Sequence, residues 1–187
     1  MKYQTSDFRN GLKIEMDNNP YIITYFQFVK PGKGTAFTRT KLKHMITGSV
    51  IERTFRTGET LQAADVEEQE MEYLYNDGEF FHFMNTETYD QIQIVETTLG
   101  EDALFLTENL SIRVLFYKGR PVNIELPNFI ESEITYCEPG VKGNTATGAT
   151  KPATILPGAT VQVPLFIEQG EAIRIDTRTK AYVSRVK

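Results

Sequence analysis

Short runs in which apolar and polar residues alternate occupy most of this chain. The run YIITYFQFV (21–29) is rich in β-branched and aromatic residues, and TAFTRTKLK (35–43) alternates with a period of two. The glycine-rich stretch KPGKG (30–34) joins them, so we predict a β-hairpin that closes on this turn. Its second strand should have two faces, with Phe37, Arg39, Lys41 and Lys43 on one and Thr38, Thr40 and Leu42 on the other.

Strand patterns continue through the rest of the chain. GSVIERTFR (48–56) predicts a further strand, while NDG (76–78) and KG (118–119) lie between strand-like runs and predict two more hairpins. GEDALFLTENL (100–110) has apolar residues at helical spacing and predicts a short amphipathic helix. After LPNF (126–129) the strand patterns begin again. Short strands with tight turns indicate small β-barrels, and the middle of the chain has the element order of an oligonucleotide/oligosaccharide-binding (OB) barrel.

Charge divides the chain into three parts. Residues 1–63 carry 10 Lys and Arg against 5 Asp and Glu, residues 64–127 carry 3 against 14, and residues 128–187 carry 7 against 6. We therefore predict three domains over these ranges. The net charge of −5 argues against general nucleic-acid binding, but the basic first part favours a local contact with RNA.

The composition excludes several classes of protein. No apolar run approaches the roughly 20 residues that span a bilayer. The amino-terminal sequence lacks an apolar signal core and Cys137 is a single cysteine, so we expect a cytoplasmic protein. His44, in a basic run, should be exposed, and His82, in an aromatic strand, partly buried. These scattered histidines and the single cysteine do not have the spacing of metal ligands, so we expect that the protein binds no metal or cofactor. No nucleophile motif or convincing acid–base pair occurs in the sequence, so we expect that the protein is not an enzyme.

The predicted hairpin tip is the first candidate site. Lys33 stands between Gly32 and Gly34, whose lack of side chains allows a partner to approach the backbone closely. Lys33 either fills a surface turn or forms the end of a tip that contacts RNA or phosphate. Other basic residues line the same hairpin, namely Lys30, Arg39, Lys41 and Lys43.

Two further candidates lie in the last third of the chain. The loop KGNTATGATKPA (142–153) is either a flexible surface loop or one whose backbone N–H groups follow a phosphate backbone. Tyr182 and Arg185 combine an aromatic ring with a cation, as RNA-binding surfaces do. Their spacing of three residues would send them to opposite faces of a strand, which weakens that interpretation.

Four motifs together resemble the bacterial elongation factor P family. FVKPGKGTAF (28–37) is similar to the tip of the family's first domain, and YLYNDGEFFHFMN (73–85) to the first hairpin of its central barrel. KPATILPGATVQVPLFIEQGE (151–171) fits the family signature, and YVSRVK (182–187) matches its end. The motifs occur in order and at matching spacing across nearly the whole chain.

The resemblance implies an all-β fold in which an SH3-like (KOW-type) barrel precedes two OB barrels in an L-shaped, tRNA-like arrangement. It implies a cytoplasmic, non-enzymatic elongation factor, monomeric and without a cofactor, which binds the ribosome between the peptidyl-tRNA (P) and exit (E) sites. There it would stimulate peptide-bond formation and relieve stalling at consecutive prolines. The alternative is a paralogue or a general RNA-binding OB-fold protein that does not act at the peptidyl-transferase centre.

The resemblance also assigns residues. Lys33 matches the position that is post-translationally modified and that contacts the CCA end of peptidyl-tRNA. The chain is most similar to the branch in which this lysine is β-lysylated and sometimes then hydroxylated, which implies lysine-modifying enzymes as partners. Asn144 departs from the family, which usually has Asp in this loop. The implied tRNA- or rRNA-binding residues are Lys30, Gly32, Gly34, Arg39, Lys41, Lys43, Gly143, Asn144, Thr145, Tyr182 and Arg185.

Overall fold

The computed structural model describes residues 1–140 and 148–187 and confirms an all-β architecture. Within these ranges the helical segments are one α-helix, α1 (Glu96–Leu99), and two 3-10 turns, Thr5–Asp7 and Gly100–Phe105. The strands are β1 (Lys2–Gln4), β2 (Lys13–Met16), β3 (Asn19–Val29), β4 (Phe37–His44), β5 (Val50–Arg56), β6 (Thr60–Ala63), β7 (Val66–Asn76), β8 (Phe80–Asn85), β9 (Gln91–Val95), β10 (Ser111–Tyr117), β11 (Arg120–Glu125), β12 (Phe129–Cys137), β13 (Thr150–Ile155), β14 (Thr160–Pro164), β15 (Ala172–Asp176) and β16 (Ala181–Arg185).

These strands form three barrel-like sheets. Their strand orders are β1-β6-β2-β3-β4-β5, β11-β10-β7-β8-β9 and β14-β13-β12-β15-β16. The chain contains two compact units, one made of Met1–Glu68 with Leu115–Asn123 and the other of Gln69–Val114 with Ile124–Lys187. The division into domains over 1–63, 64–127 and 128–187 remains a prediction.

The first sheet buries one face of β4, as its alternation predicts. Thr38, Thr40 and Leu42 are buried, whereas the lysine and arginine between them are exposed. The Thr40 hydroxyl donates to the Arg53 carbonyl oxygen at 2.7 Å, so this buried polar group is satisfied. The core beneath the sheet consists of Phe8, Leu12, Ile14, Met16, Ile23, Leu42 and Phe55.

Both predicted hairpins of the second sheet are confirmed. Between β7 and β8, the Asn76 side chain accepts a hydrogen bond from the Gly78 N–H at 2.7 Å, and Gly78 has a φ of +101°. Between β10 and β11, Lys118 and Gly119 have φ values of 51° and 76°, the left-handed pair that a tight hairpin turn requires.

The helix predicted over 100–110 is confirmed only in part, because the helical segment in this range is a 3-10 helix over Gly100–Phe105 and the α-helix precedes it. The α-helix ends at Leu99, and Gly100 then takes φ 58° and ψ −137°, a conformation that cannot continue an α-helix. A 3-10 turn follows as far as Phe105. The apolar residues Ala103, Phe105 and Leu106 of the predicted run are buried, but Gly100 sets where the α-helix ends.

The prediction that His44 is exposed is also wrong. Its side chain is half-buried against the edge of the Tyr21 ring, with ring centroids 4.9 Å apart. Its Nδ1 atom accepts hydrogen bonds from the N–H groups of Ile46 and Thr47, so the ring caps the β4–β5 turn. His82 is more buried than expected, with 6% of its surface exposed.

A polar cluster within the first unit joins β2 to the β10–β11 turn. The Tyr117 hydroxyl donates to Glu15 Oε2 at 2.7 Å, and Lys118 Nζ lies 3.4 Å from Glu15 Oε1. These interactions lower the pKa of Glu15, the Tyr117 hydrogen bond being the largest cause. We call these three residues the Glu15 cluster.

Candidate nucleic-acid interface

The hairpin formed by β3 and β4 carries the first candidate site at its outer end. Strand β2 pairs with β3 only as far as Ile22, and beyond Ile23 the hydrogen-bonded neighbour of β3 is β4. The last pair of the hairpin is Val29 with Phe37, so residues 30–36 form the connection. Among the residues that the structure describes, the outer half of β3 is therefore an edge strand that pairs on one side.

Lys33 is exposed at the end of this connection. Within the described residues its side chain makes no hydrogen bond or ion pair. Gly34 has a φ of +114°, a conformation that side chains disfavour, whereas a Cβ atom at Gly32 would meet no atom within 4 Å. Backbone geometry thus requires a glycine at 34, while the glycine at 32 keeps that side of the tip narrow.

Basic side chains extend from the tip along the outer face of β4. Arg39, Lys41 and Lys43 are exposed, as the alternation predicted, and Lys30 is exposed beside the tip. Lys41 Nζ lies 3.7 Å from Glu52 Oε1 with both side chains largely solvated, so this pair holds the lysine weakly. The structure brings these four cations onto one hairpin.

Sequence analysis missed three aromatic residues of this hairpin. Tyr25, Phe26 and Phe28 are 46%, 40% and 59% exposed, although the run that contains them reads as an apolar support. Tyr25 lies opposite Lys41, whereas Phe26 and Phe28 alternate onto the buried-threonine face. Tyr25 is therefore the exposed ring beside the cations, a combination with which proteins bind single-stranded nucleic acid. The absence of polar alternation in YIITYFQFV was the available signal.

The prediction that Tyr182 and Arg185 project to opposite faces of a strand is wrong. A β-bulge in β16 places Tyr182 opposite Ile175 and Arg185 opposite Ile173, which share one face of β15, so the two residues lie on the same face rather than on opposite ones. Tyr182 packs against the core of the third sheet.

Arg185 is already engaged within the protein. Its guanidinium forms an ion pair with Glu171 and lies 5.4 Å from the centroid of the Phe166 ring. The pKa of Glu171 is lowered, first by the hydrogen bond that it accepts from the Glu168 N–H and then by Arg185. An RNA ligand would have to compete with Glu171 for this arginine. The third candidate, Gly143, Asn144 and Thr145, lies outside the described residues.

Buried contacts hold the β12 and β13 strands beside that segment. Lys151 is 7% exposed, and its ammonium donates to the Glu138 carbonyl oxygen at 2.6 Å. A Cβ atom on Gly140 would lie 2.6 Å from the Leu165 carbonyl oxygen. The loop prediction over 142–153 is therefore wrong from Thr150 onward, because Lys151 is a buried residue of β13. Gly140 lies before the predicted loop and allows a close approach to Leu165.

Three barrel-like sheets with a lysine-tipped basic hairpin define a multi-barrel β-protein with a candidate RNA-contacting arm. No helix in the described ranges has the length and apolar character to cross a bilayer. Family models match nearly the whole chain: the elongation factor P (EF-P) KOW-like domain over 4–61, the elongation factor P (EF-P) OB domain over 66–124, and the elongation factor P C-terminal domain over 130–185.

Full-length relatives agree with these matches. Elongation factor P of Pectobacterium atrosepticum is 51% identical over 185 residues, covering 99% of this chain and 98% of the relative. Elongation factor P of Moorella thermoacetica is 53% identical over 181 residues, covering 97% and 98%. The chain belongs to the elongation factor P family, and the resemblance seen in its sequence is confirmed. This is a family of translation factors, so the chain has a role in translation elongation.

Solved structures support the fold alone. Eukaryotic translation initiation factor 5A from Methanococcus jannaschii has a TM-score of 0.52 at 16% identity, covering 68% of this chain and 94% of that protein. An initiation factor 5A family protein from Naegleria fowleri has a TM-score of 0.54 at 20% identity, covering 67% and 95%. Both are similar to about two thirds of the chain described here.

Proposed function

We propose that this chain binds the ribosome between the P and E sites and that Lys33, once modified, contacts the CCA end of peptidyl-tRNA. It thereby stimulates peptide-bond formation and relieves stalling at consecutive prolines. The observation that carries this proposal is the exposed Lys33, without a partner in the described structure, at the end of a basic hairpin. A lysine held in this way is accessible both to a modifying enzyme and to RNA.

The physical basis of the proposed activity is positioning. Proline is a poor nucleophile in peptide-bond formation, and its rigid ring misplaces the reacting ends. Ordering the CCA end in a reactive geometry lowers the entropic part of the barrier without chemistry by the protein. Such a role needs a long cationic arm on a narrow support, and modification by β-lysylation, with or without hydroxylation, would lengthen the arm.

Cations along the hairpin would supply the remaining RNA contacts. Lys30, Arg39, Lys41 and Lys43 are solvated and would release counterions on meeting phosphate, which makes binding salt-dependent. We further propose that Gly143, Asn144 and Thr145, together with Tyr182 and Arg185, contact tRNA or rRNA. The partners would be the rRNA and ribosomal proteins near the E site of a cytoplasmic ribosome.

The test is synthesis through a Pro-Pro-Pro stretch in a reconstituted translation system. We expect the modified parent to relieve stalling, and the variants Lys33→Ala and Lys33→Arg to lose that effect. Lys2→Ala is a matched control, because Lys2 is an exposed lysine of the same unit in β1, and it should behave as the parent. Full activity of both Lys33 variants would refute the proposed role of this residue.

Two further measurements separate the alternatives. The intact mass of the protein from its native cell should exceed the sequence mass, with the excess on the Lys33 peptide. Footprinting on ribosomes should show protection between the P and E sites. Protection confined to other regions would instead favour a general RNA-binding OB-fold protein that acts away from the peptidyl-transferase centre.

A further inference from the structure

An exposed tyrosine forms a rigid platform on the second sheet. The Tyr75 ring stacks on the His82 ring with centroids 4.4 Å apart and an angle of 16° between the planes. Tyr75 is nevertheless 49% exposed, since it lies on the outer side of the pair. One face of its ring is packed on histidine, and the other is available to a ligand.

The platform is fixed from below by Asp77. His82 Nε2 lies 2.7 Å from Asp77 Oδ2, and Asp77 Oδ1 accepts hydrogen bonds from the N–H groups of Phe80 and Glu79 at 2.8 and 2.9 Å. These hydrogen bonds lower the pKa of Asp77 to about 2, and the largest contribution comes from the Phe80 N–H, followed by His82. Asp77 is therefore an anion at neutral pH, and His82 has little freedom to move.

A β-bulge brings a second carboxylate onto the same face. Tyr73 pairs with Phe83 but Tyr75 pairs with His82, so Leu74 is an extra residue in β7. Glu72 pairs with Met84, and Met84 and His82 are two residues apart on β8 and therefore point to the same face. Glu72 and Tyr75 thus share the outer face, although they are three residues apart in sequence. Glu79 is exposed in the turn that follows Tyr75.

The three strands of this face carry no cation of their own, and Arg113 of the adjoining strand β10 is paired with Glu125 at 3.3 Å. Residues 57–112, which include all of β7, β8 and β9, contain 14 Asp and Glu and no Lys or Arg. The side chains that β8 and β9 add to the outer face beside His82 are apolar or amides, namely Phe80, Met84, Gln91, Gln93 and Val95. The surface is thus partly apolar, with an aromatic platform and a net negative charge.

We propose that the outer face of β7, β8 and β9 binds an arginine- or lysine-rich segment of a protein partner, with one cationic side chain stacked on Tyr75. Cations are attracted to the face of an aromatic ring, and nearby carboxylates strengthen that attraction. OB barrels often use a strand face to bind oligonucleotides, but here the negative field would repel phosphate. The charge of this face therefore favours a basic protein over RNA.

The experiment uses the full chain and a fluorescein-labelled peptide of alternating arginine and glycine, with binding followed by anisotropy. We expect Tyr75→Ser and Glu79→Gln each to weaken binding about fivefold, and Tyr75→Phe to bind as the parent because it keeps the ring. Tyr136→Ser and Glu131→Gln are matched controls, since both residues are exposed on β12 of the third sheet, and neither should weaken binding.

Three results would overturn the proposal. Equal weakening by the controls would mean that the peptide binds the acidic protein without a site. Displacement of the peptide by a uridine-rich single-stranded RNA, with amide shifts of β7 and β8 in NMR spectra, would make this a nucleic-acid surface. Amide shifts that depend on protein concentration without peptide would make it a contact between two copies of the chain.

Discussion

Replacing Tyr117 by phenylalanine should destabilise the first unit by removing one hydroxyl from the Glu15 cluster. Tyr117 is 9% exposed, and its hydroxyl donates to Glu15 Oε2 at 2.7 Å. Phenylalanine keeps the ring and its packing. The substitution therefore isolates the hydrogen bond between the hydroxyl and the carboxylate.

The size of the effect follows from the surroundings of the carboxylate. A hydrogen bond to a charged group contributes about 1.5–3 kcal/mol to stability. The Glu15 side chain is 20% exposed and has Lys118 Nζ at 3.3 Å, so water and the lysine can partly compensate for the lost donor. We therefore expect the low end of the range, a loss of about 1.5 kcal/mol, which is about a tenfold change in the folding equilibrium.

The effect should also depend on pH, with a defined sign. Tyr117 and Lys118 lower the pKa of Glu15 in the folded protein. The resulting stability is fully present above the unfolded pKa of glutamate, about 4.3, and is lost as the pH falls through the lower folded value. The difference between the parent and Tyr117→Phe should therefore be largest near neutral pH and shrink below about pH 4.

Urea unfolding measures both quantities. The chain has no tryptophan, so far-UV circular dichroism and tyrosine fluorescence are the probes. The loss should fall in the transition of the unit that contains Tyr117. Tyr136→Phe, at a tyrosine that is 59% exposed, is the matched control and should change nothing. An unchanged unfolding free energy near neutral pH, or a difference that persists in acid, would refute the assigned role of the hydrogen bond.

Three other substitutions probe the core, the second sheet and the tip. Phe55→Ala should cost about 3–5 kcal/mol in urea unfolding, because Phe55 is 0% exposed and packs edge-on against Phe8 at 5.4 Å; a loss below about 1 kcal/mol would mean that the core collapses around the cavity. In the parent, the ionised Asp77 stabilises the fold above the unfolded aspartate pKa, and this stabilisation is lost as the pH falls towards about 2. Asp77→Asn should remove it, so the melting temperature of the variant should fall less steeply than that of the parent as the pH is lowered. Gly34→Ala should impair Pro-Pro-Pro synthesis more than Gly32→Ala, because position 34 has a φ of +114° and position 32 opens to solvent; equal activity would contradict a geometric role for Gly34.

Local patterns predicted those parts of the fold that depend on neighbours in sequence. The alternation along β4 identified its buried and exposed faces, and NDG and KG identified two hairpins, because side-chain direction and turn conformation are set within a few residues. The basic hairpin with Lys33 at its end could be predicted for the same reason. The motifs that resemble the elongation factor P family then identified the family.

Features that depend on the exact register between strands, or on contacts between separated segments, could not be predicted. The bulges in β7 and β16 change which residues share a face, and each forms through the register against another strand. Arg185 looked available in sequence, but its partner Glu171 lies 14 residues away and reaches it only through the fold. The burial of His44 likewise follows from the β4–β5 turn that its ring caps.

The exposed aromatics of β3 give the strongest link between the fold and the proposed RNA contact. Within the described structure, the outer half of this strand pairs only with β4, so its other edge presents unpaired backbone groups together with Tyr25, Phe26 and Phe28. An apolar edge of this kind promotes aggregation, and proteins usually protect it with charges or a covering element. Here the protecting charges lie on the paired strand, in Arg39 and Lys41, rather than on the edge itself. Tyr25 shares the face of Arg39 and Lys41, so an RNA partner could stack a base on its ring while its phosphates met those cations. Phe26 and Phe28 lie on the opposite face, and a ligand would have to pass around the unpaired edge to reach them as well.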